Sequence, residues 1–344
     1  MDKSVIISLA KGRSGGGGGG SGSDIDNGWD APPLTKAGFA LQIILGIAAL
    51  VLLILITIAL PRVSPWSARG PYLLLVLVTV TLVTSYGLGA LSMRAPVIET
   101  STQLRLSSAS SFLGAVQDVF LPAVILYLLH LRGNVLRGVK GDTVRPIASQ
   151  LWKRILDWSW VILTFIFCMV LLGYQANWYN NLPGSMLTED LFQRYINVSH
   201  GLVYTITALH FLLCLNVFVS LIIHFVQSKK AQARDPVTTR LLILAAPFLM
   251  IYAINSVATN IIFSVASITA TFDVEAFVLA EIIILGICGI MILVALLTTM
   301  LLSNVQWTAQ KGETLMEHGG APVQQQQQWS TPTSNWSQPV YNQK

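Results

Sequence analysis

Charge is scarce in this chain. Asp, Glu, Lys and Arg make up 11% of its 344 residues and hydrophobic residues 53%, whereas soluble domains carry about 25% charged residues. That deficit excludes an ordinary water-soluble fold and places the chain in the membrane class. Cysteine is scarcer still. Cys168, Cys214 and Cys288 all fall inside apolar stretches, so they exclude an extracytoplasmic disulfide and lack the spacing of a metal site. They read as small buried hydrophobes. The five histidines, His130, His200, His210, His224 and His318, show no ligand spacing such as His-x-x-x-His. A hydrolase embedded in the membrane would need clustered His and carboxylates, or a Ser-His pairing, so neither an enzyme nor a cofactor is expected. The early apolar run "VIISLA" is too short for a signal-peptide core of about 7–15 residues. The first long apolar segment is expected to act as its own insertion signal.

Long apolar runs are what the chain has in abundance. Seven of them, near 38–60, 71–93, 110–131, 158–174, 204–226, 241–265 and 277–302, approach or exceed the roughly 20 residues that a helical span needs. The expected fold is all-α, an integral membrane seven-helix bundle over residues 37–303. The segment "GRSGGGGGGSGS" is a flexible linker, so residues 1–36 are expected to be a disordered tail. The polar stretch from Asn304, with "QQQQQ" and "WSTPTSNWSQPVYNQK", is expected to be a disordered cytosolic tail over 304–344.

Lys and Arg in the short loops set the orientation. Twelve of them, Arg62, Arg69, Arg132, Arg137, Lys140, Arg145, Lys153, Arg154, Lys229, Lys230, Arg234 and Arg240, fall on one side, against three, Arg94, Arg105 and Arg194, on the other. The N-terminus is therefore expected outside and the C-terminus in the cytosol. The net charge of +5 then reflects cytosolic loops facing anionic lipid, and no nucleic-acid partner is expected. Within the loop "GDTVRPIASQLWKRILDW", Ile147, Leu151 and Ile155 recur at i, i+4 and i+8, which predicts an amphipathic helix on the membrane surface leading into the fourth span. A docking face for a cytosolic partner is the alternative. Asn197-Val-Ser is a glycosylation sequon on the outer side, close to the fifth span, and Asn335-Trp-Ser a second, on the cytosolic side.

Polar residues inside the spans share a depth. Asp118 lies among apolar residues, four positions before Pro122. A proline removes one backbone hydrogen bond and crowds the carbonyl four residues earlier, here that of Asp118 itself. With about 1.5 Å of rise per residue, Asp118 sits roughly 21 Å above Arg132, in the outer half. Tyr252, Asn255, Ser256, Thr259 and Asn260 fall on one helical face and rise from about 18 Å to about 30 Å above Arg240. Glu281 and His210 each lie about 9 Å in from the outer surface. Ionisable groups in spans face the interior or a water-filled cavity unless paired. Asp118, His210, Tyr252, Asn255 and Glu281 are therefore the candidate ligand-binding residues of an outward polar cavity. The bland readings are a helix kink at Pro122, an Asp118–His210 structural pair, and interhelical hydrogen bonds along the Tyr252–Asn260 face.

Seven spans, an outside N-terminus, a basic cytosolic face and an outward polar cavity resemble G-protein-coupled receptors. The general look, with the Gln-rich tail, is similar to uncharacterised heptahelical proteins of filamentous fungi. The resemblance covers about residues 38–303 and is one of architecture. The third span ends "YLLHLRG", without the acidic-Arg-Tyr triplet of rhodopsin-like receptors, and the seventh ends "ALLTTMLLSN", without their Asn-Pro-x-x-Tyr. Pro247 lacks a preceding Cys-Trp, and the outer cysteine pair is absent. Retinal-binding opsins are set aside, because their chromophore needs a Schiff-base lysine in the seventh span and no lysine falls within the seven segments. The resemblance implies a receptor at the plasma membrane that senses a small extracellular ligand and signals through its basic loops to a heterotrimeric G protein or another cytosolic partner. The competing expectation is a proton- or solute-coupled transporter using Asp118, His210 and Glu281 as a relay. Many carriers contain internal repeats, and none is found here. The orientation is directly testable. A protease-cleavable tag after Lys344 should be protected in intact cells and one before Asp24 accessible; the reverse pattern would overturn every depth assigned above.

Overall fold

The computed structural model describes residues 33–64, 66–94, 100–140, 146–181, 189–233, 235–266 and 274–302. These are almost wholly helical, with no strand among the described residues. The main helices are α1 (Pro33–Ala59), α2 (Gly70–Arg94), α3 (Thr100–Lys140), α4 (Leu151–Asn181), α5 (Glu189–Lys230), α6 (236–266) and α7 (Val274–Met300). Each is long and apolar enough to cross a membrane. Every helix packs on its chain neighbours, α7 closes against α1, and α3 also touches α5. The bundle is thus a closed ring with α3 drawn inward. The most apolar window of α3 is 61% buried, against 22–33% in the other helices. Around it lies a core that includes Val119, Ile125 and Leu129 of α3, Leu213 and Leu221 of α5, Leu249 of α6 and Ile292 of α7. The outer faces carry large exposed hydrophobics such as Ile44, Ile58, Leu151 and Ile243. So much contiguous apolar surface is not stable in water and fits a lipid surround.

The α5–α6 turn is built from local rules. The amide of Ala233 bonds the Ser228 carbonyl and that of Gln232 the Lys229 carbonyl, which is the six-to-one and five-to-two pattern of a Schellman motif. Its left-handed position is held by Gln232, at φ 51°, where glycine would normally stand. An L-residue there costs about 1–2 kcal/mol. Three residues on, Asp235 caps α6 by accepting from the amides of Val237 and Thr238, with Pro236 at the first helical position, the favoured start of a helix. One π-helical turn, Leu241–Ala245, follows. Pro247 supplies no N–H and crowds the carbonyl of Ile243, and this wider turn ahead of it absorbs the misfit.

Several expectations change. The stretch 147–157 is not a separate surface helix. Ile147 lies in a short 3-10 turn, Ile147–Ser149, and α4 starts at Leu151 and runs on as the span itself. Leu151 and Ile155 do face outward, 72% and 58% exposed, but Lys153 and Asp157 turn into the bundle and are buried. The reason is an i, i+4 ion pair between them, which lets both charges point inward instead of toward the surface. A lysine therefore does lie within a spanning helix, although α7 itself carries none. The first turn of α1, from Pro33 to Lys36, occupies the last residues assigned to the N-terminal tail. Helices α3 and α5 overrun their expected spans at both ends. Arg132, Arg137 and Lys140 are thus helical rather than loop residues. Asn197 is an exposed position on α5. The rest of the two tails, Arg145, Arg234 and Asn335 lie outside the described residues.

Candidate functional site

Two levels of the bundle concentrate polar side chains. One lies at the end bearing Arg69, Arg132, Lys153 and Arg240, called here the basic end; the other lies toward the far end. At the far level the structure brings together three of the five residues singled out from sequence. The Tyr252 hydroxyl of α6 donates to Asp118 Oδ1 of α3. The His210 ring of α5 meets Tyr252 edge-on, with centroids 5.8 Å apart, and lies toward the Asp118 backbone carbonyl. That is the carbonyl Pro122 releases from the helix ladder. The Cys214 thiol, one turn along α5, is 3.5 Å from His210 Nε2. Tyr252 and His210 are buried, and Asp118 is half-buried. The polar face of α6 divides in two: Tyr252 serves Asp118, while Asn260 donates to Thr207 of α5 at 2.7 Å and joins two helices, as interhelical amides do. Asn255 Nδ2 is buried without a partner. Glu281 is half-buried on α7. At this level the Tyr252 hydroxyl occupies one oxygen of the Asp118 carboxylate.

The basic end holds two buried carboxylates that sequence reading did not single out. Asp157 of α4, 1% exposed, lies 2.8 Å from His130 Nε2 of α3 through its Oδ2. Its Oδ1 accepts from Lys153 Nζ and, at 2.8 Å, from Asn216 Nδ2 of α5. Lys153 Nζ also donates to Asn216 Oδ1 at 2.9 Å. The legible signal was Lys153-x-x-x-Asp157, an i, i+4 opposite-charge pair.

The second carboxylate is Asp235. It caps α6, accepts from Arg132 Nε of α3 at 3.1 Å and from the Thr238 hydroxyl at 2.6 Å, and has His224 Nε2 of α5 at 3.5 Å from Oδ2. That His224 distance suits an ion pair, but the geometry is not that of a hydrogen bond, and both ring nitrogens are buried without one. Burial pushes the Asp235 carboxyl up, but the Arg132 charge, His224 and the Thr238 hydroxyl hold it well below the usual carboxylate value. A depressed carboxyl contributes stability that is present above its unfolded value, near 3.8, and lost only as pH falls toward the folded value. Asp235 is therefore ionised throughout the neutral and mildly acidic range.

A cavity lies beside Asp157 and His224. It has room for about one water molecule, and its walls are mostly apolar, with His130, Lys153, Asp157, Ser220, His224 and Gln227 among the lining residues. Its roof is the 3-10 turn, where the Ile147 amide donates to Gln227 Oε1 at 3.3 Å. The turn approaches α3 at Gly133, where a Cβ would stand 2.9 Å from the Ser149 nitrogen, so any other residue would push it off. Between the two polar levels, Ile125, Leu126, Leu213, Val217 and Leu249 are at most 2% exposed and form an apolar layer. Among the described residues no group of three His, Cys, Asp or Glu is placed to hold a metal. Comparisons with protein-family models, curated proteins and solved structures return no match for this chain.

The Tyr252–Asp118 contact yields an ordered expectation. Asp118→Asn removes the charge and keeps an acceptor for the hydroxyl, so the variant should retain stability close to the parent. Tyr252→Phe leaves the carboxylate without its donor and should cost about 1–3 kcal/mol. Thermal unfolding in detergent reads the difference; an Asp118→Asn variant less stable than Tyr252→Phe would contradict the assigned roles.

Proposed function

We propose that this is a receptor-like membrane protein whose basic end faces the cytosol and whose moving element is α6. One observation carries the reading: α3 and α6 are tied to each other at both polar levels. Asp118 of α3 takes the Tyr252 hydroxyl of α6 at the far level. Arg132 of α3 holds Asp235, the cap of α6, at the basic end. The π-helical turn Leu241–Ala245 and Pro247 lie between these ties, at a place where a helix bends readily. A small extracellular ligand with a cationic or hydrogen-bond-donating group would compete with Tyr252 for the Asp118 carboxylate. Releasing one tie shifts the balance at the other, because α6 is a single element. The twelve-to-three bias of Lys and Arg supports a cytosolic basic end, from which the α3–α4 and α5–α6 connections would engage a signalling partner. The plasma membrane suits an extracellular ligand.

A proton- or solute-coupled carrier is the second reading, favoured by the buried polar network at the basic end. The apolar layer between the two levels argues against a relay that crosses the whole bundle.

The receptor reading predicts a movement. Removing both charges of the lower tie, Arg132→Gln with Asp235→Asn, avoids leaving one buried ion unpaired, a defect worth about 3–5 kcal/mol, and Asn preserves the cap. Spin labels at the exposed positions Arg137 of α3 and Ile243 of α6 should lie farther apart in this double variant than in the parent, as read by pulsed electron resonance in nanodiscs. An unchanged distance in a folded double variant would sink the reading.

A further inference from the structure

We propose that His224 is a proton-binding site that releases the Arg132–Asp235 tie. The inference rests on the receptor reading and names what regulates its lower contact.

Three features single out His224. It is 1% exposed, yet neither ring nitrogen makes a hydrogen bond. It lines a small, mostly apolar cavity at the basic end. Its Nε2 stands 3.5 Å from a carboxylate that already holds another cation.

The charges facing the ring decide what a proton does there. From α3 come Arg132, on the same carboxylate, and His130 across the cavity. From α4 come Lys153 and Asp157. From the start of α6 comes Asp235. Within α5 itself the cavity neighbours are Ser220 and Gln227, both uncharged. Among the described groups around the ring, two carboxylates serve two permanent cations, Arg132 and Lys153. Asp157 is already engaged by His130, Lys153 and Asn216. A proton on His224 adds a third positive charge, and Asp235 is the carboxylate within its reach. Because Asp235 stays ionised across the histidine range, the outcome is an exchange of partners. His224 and Asp235 lie on the two arms of one helix hairpin, eleven positions apart. When they pair fully, Arg132 is left with a shared carboxylate and a like charge beside it, and the cost of two buried cations on one anion is relieved by Arg132 moving to the wet bundle end. The α3–α6 tie opens without any change in Asp235 itself. His130 is a poorer sensor: its Nε2 already meets Asp157 at 2.8 Å, on a different carboxylate from the tie.

The test is the distance between labels at Arg137 and Ile243, followed from about pH 8 to about pH 5, where a histidine titrates. In the parent the distance should lengthen as pH falls. His224→Gln should stay at the short distance throughout, while His130→Gln should respond like the parent. The uncharged Arg132→Gln/Asp235→Asn variant should be long at both ends of the titration. A flat parent profile beside a long double variant overturns the proton site and leaves the receptor reading standing, whereas a short double variant overturns the reading beneath it. A response that survives His224→Gln, or one that only His130→Gln abolishes, also overturns the proposal. Should His224→Gln fail to fold, the parent decides: a flat profile, or one centred in the carboxylate range, overturns it, and a transition in the histidine range that His130→Gln retains supports it.

Discussion

A charge inside an apolar bundle must be neutralised at the depth where it lies, because neither lipid nor packed hydrocarbon will solvate it. The polar architecture of this protein follows from that constraint. Asp157 answers it by gathering Lys153, His130 and Asn216 from three helices. Asp235 answers it with Arg132, the Thr238 hydroxyl and the first amides of α6. The carboxylates are therefore more than tolerated impurities: each specifies which helices meet and in what register. Pairs of this kind are weak evidence for added stability, since their desolvation offsets much of the attraction. Their sharper effect is on which arrangements of α3, α4, α5 and α6 are allowed.

The same constraint makes the arrangement switchable. A buried carboxylate with a permanent cation on one side and a histidine on the other gains a second way to be satisfied when the histidine takes a proton, and small changes in charge decide between them. Asp235 stands in that position, between Arg132 of α3 and His224 of α5. Asp118 stands in a milder version of it, half-buried and held by a phenol rather than a cation. Both belong to contacts across the α3–α6 boundary. Near the lower one, α6 departs from regular geometry at its π-helical turn, and the adjoining turn keeps Gln232 in a left-handed conformation. Such strained positions recur where an element moves.

Much of this was legible in the sequence, because span length and helical rise are simple arithmetic. Seven long apolar helices follow from seven apolar runs, and equal depth correctly brought Asp118, His210 and Tyr252 to one level. Equal depth does not by itself fix position around the ring. The basic-end network was hidden for a different reason. Lys153, Asp157 and Arg132 sit next to loops, where charge is ordinarily solvated, and loop charges read as orientation signals. Only the i, i+4 spacing of Lys153 and Asp157 hinted that both turn inward, and the apolar stripe of Leu151 and Ile155 marked the lipid face of the span, not a helix lying on the surface. The Asp235-Pro236 pair was a readable helix start, but its partners, 103 positions away at Arg132 and on α5 at His224, are set by tertiary packing alone.

The central claim is that the two α3–α6 ties communicate through α6. Its most direct test is to break the far tie and watch the near one: Tyr252→Phe in an otherwise intact chain, with labels at Arg137 and Ile243 and the pH held near 8. The account predicts a longer label distance, or a greater share of the longer distance, than in the parent. A folded Tyr252→Phe protein whose basic end keeps the parent distance distribution would contradict it.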